Sequence, residues 1–184
     1  MGAVGLAGRG EGSWAERLLS FVQRYPGVHL REIRRRLAIP IGTLDYHLYR
    51  LGRRGLIAIR FQGGYKCCFP AVSDAANGPI PADHQTLLAL LRQPLPRGIL
   101  LHLYLEGPSP PADLATALDT TGPNLSYFLR RLELAGALVR EGQGASRIAR
   151  LSDPKQIHEI LLRYPPLPET AVDRFLRFWG DLHP

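Results

Sequence analysis

The chain has 184 residues, of which 45% are hydrophobic, and it carries a formal net charge of +7. This length suits one or two small domains, and the apolar content is sufficient for each to bury a core. No run approaches the roughly 18 consecutive apolar residues of a membrane span, and the first residues lack a secretory signal. We therefore expect a globular, cytoplasmic protein without a membrane partner.

The chain is expected to begin with a short flexible lead and then a helix. Residues 1–12 are rich in glycine and have no periodic apolar pattern. Ser13 and Glu16 form the S-x-x-E pattern of a capping box, in which each side chain bonds a free backbone amide at a helix start. The first helix is therefore predicted to begin at Ser13 and to end near Tyr25, before a Pro-Gly pair.

A helix–turn–helix pattern follows the first helix. Apolar residues at helical spacing predict a second helix over 29–37 and a third helix over 43–54. On the third helix the inward stripe contains Leu44, His47 and Leu48. This position makes His47 a semi-buried structural histidine rather than a metal ligand or a pH sensor.

A β-hairpin is predicted after the third helix, over residues 56–70. Its first strand is β-branched and apolar, the segment Gln-Gly-Gly is typical of a tight turn, and an aromatic strand returns. Cys67 and Cys68 are adjacent in the returning strand, so one thiol is expected in the core and the other in solvent. No cluster of His, Asp or Glu completes a ligand set, and we expect no metal.

The remaining chain contains a linker and a second domain. Domain 1 is predicted over 13–70, a linker over 71–82, domain 2 over 83–152 and amphipathic C-terminal helices over 153–184. Domain 2 is expected to open with two helices separated by prolines. It continues with a helix–turn–helix capped by Ser109, a third helix from Asn124 and a second hairpin.

The two predicted domains are related by an internal repeat. Leu30 to Lys66 recurs 81 residues later as Pro111 to Arg147 without a gap. Six positions match without change in chemistry: Leu44, Tyr46, Leu48, Arg50, Leu51 and Gly55 correspond to Leu125, Tyr127, Leu129, Arg131, Leu132 and Gly136. Repetition at a fixed spacing predicts two copies of one architecture.

The net positive charge is confined to the first half of the chain. Residues 1–80 contain 12 cationic and 5 acidic side chains, whereas residues 81–184 contain 11 of each. A basic domain beside a neutral one indicates that the first domain binds a phosphate backbone more strongly.

The run GVHLREIRRRLAIPIGTLDYHLYRLGRRGLI resembles the winged helix–turn–helix transcriptional regulators of prokaryotes, with MarR/ArsR-like winged helices, and the whole chain is similar to tandem regulators found especially in archaea. The resemblance implies a mainly α fold with small β wings (α+β), made of two tandem winged helix–turn–helix domains plus C-terminal helices. It also implies that the third helix enters the major groove of double-stranded DNA, that the start of the second helix contacts phosphate, and that the wing touches the backbone or the minor groove.

The resemblance also assigns candidate residues to this interface. Those of the first domain are Arg31, Arg34, Arg35, Thr43, Asp45, Tyr46, Tyr49, Arg50, Arg53, Arg60, Gln62 and Lys66. Among them, the resemblance implies groove contacts by Thr43, Asp45, Tyr46, Tyr49 and Arg50, and phosphate contacts by Arg31, Arg35, Arg60 and Lys66. Arg50 has the chemistry to pair with guanine through two hydrogen bonds, and Asp45 has the chemistry to accept one from cytosine. Possible contacts of the second domain are Asn124, Ser126, Tyr127, Arg130, Arg131 and Arg147, although the helix before them has two aspartates and no cation.

The sequence therefore favours a sequence-specific, nucleoid-associated transcriptional regulator that binds double-stranded DNA. Motifs typical of nucleotide-binding, hydrolytic or zinc enzymes are absent, so we expect no catalytic residue and no cofactor. Two alternatives remain open: a tandem winged-helix scaffold that binds proteins, and an RNA-binding or transcription-machinery accessory protein. A homodimer formed through the aromatic C-terminal helix, near residues 169–183, is also expected.

Overall fold

The computed structural model of the chain describes residues 11–71, 80–142, 144 and 147–168. Its first half contains three helices and a small antiparallel sheet. In chain order these elements are α1 (Glu11–Arg24), β1 (Val28–His29), α2 (Leu30–Leu37), α3 (Ile41–Arg53), β2 (Ile57–Gln62) and β3 (Tyr65–Pro70).

The first half is packed around the apolar stripes of its helices. Leu18 and Val22 of α1, Ile33 of α2, and Leu44 and Leu48 of α3 belong to one buried cluster. Within α1 and α3 these residues are four positions apart, so they fall on one helix face. Burial of each such side chain contributes about 1.5–3 kcal/mol, which makes this stripe the main source of stability for the helix–turn–helix.

Glycines determine where the hairpin begins and turns. Gly55 follows α3 with a φ of +66°, a left-handed conformation that ends the helix. At the hairpin tip, Gly63 and Gly64 have φ values of +58° and +84°, and Gln62 pairs with Tyr65 across them. Two successive residues with positive φ form the tight turn whose twist suits an antiparallel hairpin.

A third strand, which the sequence analysis did not predict, joins the hairpin. The two-residue strand β1 pairs with β3, and the strand order is β1-β3-β2. Val28 lies opposite Cys68, and His29 lies opposite Cys67. Strand β3 is therefore hydrogen-bonded along both of its edges.

The second half contains four helices, a hairpin and a final helix. Its elements are α4 (Ala82–Leu91), α5 (Pro94–Leu105), α6 (Pro111–Ala117), α7 (Gly122–Leu134), β4 (Leu138–Glu141), β5 (Ile148–Leu151) and α8 (Pro154–Arg163). Strands β4 and β5 pair in an antiparallel hairpin after α7, as β2 and β3 do after α3. The predicted fold class, mainly α with small β wings, is confirmed.

The two halves share a buried interface along β3. Cys67 and Phe69 pack into a cluster with Leu88 of α4, Leu100 of α5 and Leu129 of α7. Cys68 points to the opposite face and belongs to the core of the first half. Both thiols are 0% exposed, so the prediction that one of them faces solvent is wrong: the second half covers the outer face of the strand.

The turn between α1 and β1 packs directly on α4. Gly27 has a φ of +81°, and a Cβ added there would lie 2.8 Å from the backbone nitrogen of Ala89. Arg92, which is 8% exposed, donates from Nε to the Pro26 carbonyl at 2.9 Å and from Nη1 to the Pro165 carbonyl at 2.6 Å. Backbone segments from both halves are therefore held against the end of α4.

Three local predictions are corrected. Helix α1 begins at Glu11, two residues before the predicted capping box. Pro94 starts α5 instead of separating two helices. Proline is well suited to the first helical position because the N–H that it lacks would have no partner within the helix. Ser109 does not cap α6: its backbone pairs with Ala149 in an isolated bridge, and its hydroxyl donates to the Gly107 carbonyl.

Other predictions lie outside the described residues. These are residues 1–10 of the predicted flexible lead, residues 72–79 of the predicted linker, and the predicted aromatic tail helix over 169–183. Among the helices that the structure describes, none has the length and apolarity needed to cross a membrane.

Candidate nucleic-acid interface

Helix α3 has a buried face and an exposed face. Its inward side chains include His47, which is 3% exposed, as its position in the apolar stripe predicts. Five predicted contact residues lie on the exposed face: Asp45, Tyr46, Tyr49, Arg50 and Arg53, with Thr43 half-buried beside them. The packing of α3 thus presents a polar and aromatic surface to solvent.

Two tyrosine–arginine pairs are arranged along this exposed face. Arg50 donates from Nη1 to the Tyr46 hydroxyl at 3.0 Å, and its guanidinium carbon lies 5.5 Å from the ring centroid. Arg53 is placed in the same way on Tyr49, with distances of 3.5 and 6.0 Å. Residues four positions apart are neighbours on a helix surface, which is why both pairs form. Each arginine keeps further N–H donors for an external partner.

The hairpin places its candidate residues on opposite faces. Side chains alternate along a strand, and Phe61 lies opposite Lys66 on the face that carries Cys68. Arg60 lies opposite Cys67, on the face that packs against the second half. Lys66 is exposed and its Nζ lies 5.9 Å from the Phe61 ring. Arg60 and Lys66, both predicted as phosphate contacts, therefore do not share a surface.

Gln62 is also turned toward the second half. Its side-chain oxygen accepts a hydrogen bond from the hydroxyl of Thr86 in α4 at 3.2 Å, and the residue is half-buried. Arg60 is exposed on the same hairpin face. These two candidates lie by the junction of the halves.

The arginines of α2 are in different environments. Arg31 and Arg34 are exposed, whereas Glu32 accepts hydrogen bonds from Arg35 at 3.0 Å and from Arg36 at 2.9 Å. Burial raises the pKa of the Glu32 carboxyl, but the hydrogen bonds from Arg35 and Arg36 outweigh it and hold the pKa below its usual value. Arg31 and Arg34 are therefore the α2 cations best placed for an external anion.

The equivalent arginine of the second copy is in a different position. Arg131 forms the same pair with Tyr127, with an Nη1 to hydroxyl distance of 3.2 Å. However, it is half-buried, and a side chain at Gly63 would collide with its guanidinium. Its charge also contributes to lowering the pKa of His29, behind the larger effect of burial. Arg131 therefore lies against the wing of the first half.

The other second-half candidates are exposed, but neighbouring cations are neutralised. Asn124, Ser126, Arg130 and Arg147 are all exposed, and Asn124 donates to the Thr120 hydroxyl at 3.0 Å. In the second wing, Arg140 pairs with Glu133 and Arg150 pairs with Glu141. Internal carboxylates thus compete for the cations of this hairpin.

The cysteines have the environment of packing residues. Burial raises the pKa of Cys67 to about 11 and that of Cys68 to about 12. A thiol with a raised pKa stays protonated near neutrality and is a poor nucleophile or metal ligand. In the described part of the chain, no three His, Cys, Asp or Glu side chains are grouped to hold a metal ion.

Two exposed aromatics were missed by the sequence analysis. Phe61 is 69% exposed and Tyr65 is 57% exposed, one on each side of the hairpin turn. The signal was present, since the turn reads FQGGY. Aromatic residues in a strand usually indicate burial, so this pattern did not predict their exposure.

An exposed helix α3 that packs on α2 and is followed by a β-hairpin is the arrangement found in winged helix–turn–helix proteins. No family model matches the chain. A protein of Methanocaldococcus jannaschii, described as an uncharacterized HTH-type transcriptional regulator, is 27% identical over 127 residues, or 69% of this chain. The chain spans 30% of the length of that relative.

Two solved structures resemble the chain with low TM-scores. A transcriptional regulator of Thermotoga maritima has a TM-score of 0.37 and 21% identity, over 55% of this chain and 70% of that one. The disulfide-formed structure of AbfR has a TM-score of 0.35 and 18% identity, over 83% of this chain and 90% of that one.

Proposed function

We propose that the protein is a transcriptional regulator that binds double-stranded DNA in a sequence-specific manner, with α3 in the major groove. The exposed face of α3, with its two tyrosine–arginine pairs, carries this proposal. The description of the Methanocaldococcus jannaschii relative as an HTH-type transcriptional regulator supports it. The proposed role is regulatory and not enzymatic, and it places the protein in the cytoplasm with the nucleoid.

The chemistry of α3 suits base recognition. An α-helix fits the major groove, where guanine presents two acceptors to an arginine fork and cytosine presents an amino donor to a carboxylate. Arg50 and Arg53 are exposed forks one helical turn apart, and Asp45 is exposed nearby on the same helix. The tyrosine rings restrict the arginine side chains, which reduces the conformational entropy lost on binding.

Contacts to the DNA backbone come from outside α3 in this proposal. Arg31 and Arg34 lie exposed on α2, and Lys66 lies exposed on the hairpin face toward the first core. Each cation that neutralises a phosphate releases counterions, so affinity falls steeply with salt. The confinement of the net charge of +7 to residues 1–80 is consistent with a single DNA-binding half.

The second half has a supporting role in this proposal. The contact of Arg131 with the first wing fixes the hairpin relative to α7, and paired carboxylates offset the charge of Arg140 and Arg150.

Selection from a random DNA pool, followed by fluorescence anisotropy with the selected duplex, tests the function. We expect one recovered consensus and a steep loss of affinity with rising salt. A folded protein that binds no duplex at low salt would instead indicate the protein-binding scaffold. Tighter binding to an RNA duplex would indicate the RNA-binding accessory role.

We also propose a homodimer formed through residues 169–183. Symmetric dimers read two half-sites about one helical turn apart, so one DNA-binding half per chain is sufficient. Sedimentation of the intact chain and of a chain truncated after Pro168 tests this proposal. A monomeric intact chain refutes the dimer, and a dimer that survives truncation places the interface elsewhere.

A further inference from the structure

A pocket of about 600 Å³ lies between the two halves, and its lining contains no residue of α3. Small-molecule sites have volumes of roughly 300–1,000 Å³, so this space is large enough for one. Helix α2 forms one wall, the junction of α4 and α5 forms the second, and the segment after α8 forms the third. The lining includes His29, Glu32, Leu91, Arg92, Arg97 and Leu101.

The most informative lining residue is Arg92. It is 8% exposed, and its Nε and Nη1 atoms donate to the Pro26 and Pro165 carbonyls. Its Nη2 is buried and has no hydrogen-bond partner within the described residues. An unpaired buried donor on a charged group is costly, so its presence beside a pocket points to a partner that completes it.

A second unpaired polar atom belongs to His29, another residue that lines the pocket. The Nε2 of His29 is buried and lacks a hydrogen-bond partner in the described ranges. The His29 ring stacks on the Tyr65 ring, with 5.1 Å between the ring centroids. These two atoms are the buried side-chain nitrogens or oxygens without partners in the described part of the chain.

The charge of the pocket is positive and incompletely balanced. Arg97 lines it, and within the described residues its Nη1 donates to the Tyr164 carbonyl at the long distance of 3.5 Å. The carboxylate in the wall, Glu32, is already bonded to Arg35 and Arg36. Burial, and secondarily the charge of Arg97, lower the pKa of Arg92 to about 10. Burial and Arg97 thus disfavour the charged form of Arg92, and an anion in the pocket would stabilise that form.

We propose that this interdomain pocket binds a small organic anion whose acidic group pairs with Arg92 and Arg97. The apolar body of the ligand packs against Leu91 and Leu101, which lie in the same walls. Helix α5 begins at the pocket, so the positive end of its dipole also favours a negative group. This inference does not depend on the proposed DNA binding, because it concerns different atoms and is tested without DNA.

The test uses two fluorescent probes with the same ring system. 8-Anilinonaphthalene-1-sulfonate is an organic anion, and N-phenyl-1-naphthylamine is its uncharged counterpart. We expect the full chain to bind one sulfonate probe per protein and to bind the uncharged probe about tenfold more weakly, as for loss of one charge-assisted contact. Equal affinity for the two probes, or no binding of the sulfonate, overturns the proposal.

Variants locate the binding site. Arg97→Gln should weaken binding of the sulfonate about tenfold. The variant should remain folded, because the Arg97 side chain donates to the Tyr164 carbonyl at the long distance of 3.5 Å. The matched control is Arg24→Gln, because Arg24 lines a separate pocket of about 420 Å³ beside α1. An equal effect of both variants, or no effect of Arg97→Gln, overturns the assignment.

Two further measurements identify the site and the class of ligand. The imidazole resonance of His29, assigned by its loss in His29→Gln, should shift when the probe binds to the unaltered protein. Octanoate should displace the probe at lower concentration than inorganic phosphate, because only octanoate has an apolar body. A His29 resonance that does not move, or displacement by phosphate at the lower concentration, contradicts the proposal.

Discussion

Replacing Arg50 by alanine gives the sharpest test of which half contacts DNA. The side chain is exposed, and its interactions within the protein are a hydrogen bond and a ring contact with Tyr46. Exposed contacts of this kind contribute about 0.5–1 kcal/mol. For a protein of this size, about 1 kcal/mol corresponds to a shift in Tm of roughly 2–4 °C. The variant should therefore remain folded.

The effect on DNA binding should be much larger. A two-bond contact between arginine and guanine contributes about 1–3 kcal/mol of discrimination, which corresponds to a roughly 5- to 150-fold increase in Kd for the selected duplex. Affinity for a random duplex should fall far less, because the backbone cations Arg31, Arg34 and Lys66 are retained. Fluorescence anisotropy with both duplexes at one salt concentration measures this difference.

Arg131→Ala is the matched control for Arg50→Ala. The two residues occupy equivalent positions in the repeat and make the same contact with a tyrosine four residues earlier. Arg131 lies against Gly63 of the first wing, so its removal should leave Kd for the selected duplex within about twofold, an effect below 0.5 kcal/mol. Equal losses in the two variants would show that both halves contact DNA, and a larger loss at Arg131 would reverse the assignment.

Three further predictions concern the hairpin, the junction and the cysteines. Lys66→Ala should weaken binding to selected and random duplexes alike and reduce the salt slope by about one, whereas Arg60→Ala on the opposite face should not; a similar slope change in both would contradict the assignment of faces. Gly27→Ala should lower the free energy of unfolding by more than about 2 kcal/mol in a denaturant titration, because of its φ and the approach of Ala89; a loss below about 0.5 kcal/mol would show that the junction adjusts. The raised pKa values of Cys67 and Cys68 favour the folded state fully below the ordinary thiol pKa of 9.0, and this stabilisation should be lost as pH rises toward about 11 and 12. Stability measured from pH 8 to 10.5 should fall less steeply in a Cys67→Ala, Cys68→Ala variant, and parallel curves would refute the burial of the thiols.

Much of the helix–turn–helix was predictable because local spacing determines it. The stripe of Leu44, His47, Leu48 and Leu51 can be buried only if α3 turns its other side chains outward, and the structure has this arrangement. The turn FQGGY predicted the hairpin because its two adjacent glycines can adopt the positive φ values that a tight turn requires. Each of these features depends on residues within a few positions of one another.

Other features depended on distant segments and were missed. Strand β1 has two residues, too few for an alternating pattern, and it exists because β3 offers an edge. Ser109 has the composition of a helix cap, but pairing with Ala149 of β5 places it elsewhere. Alternation predicted that Cys67 and Cys68 point to opposite faces, but not that the second half covers one of those faces.

The candidate interface shows the same division. The sequence by itself determined which side chains lie outward on α3, since helical periodicity and the repeat require no information beyond the order of residues. Only the tertiary structure decided that Arg50 is exposed while its counterpart Arg131 lies against the first wing, and that Arg60 and Gln62 face the second half. Periodicity assigns a side chain to a face of its own element, whereas solvent exposure depends on what packs against that face, and this packing is set by contacts between residues far apart in the chain.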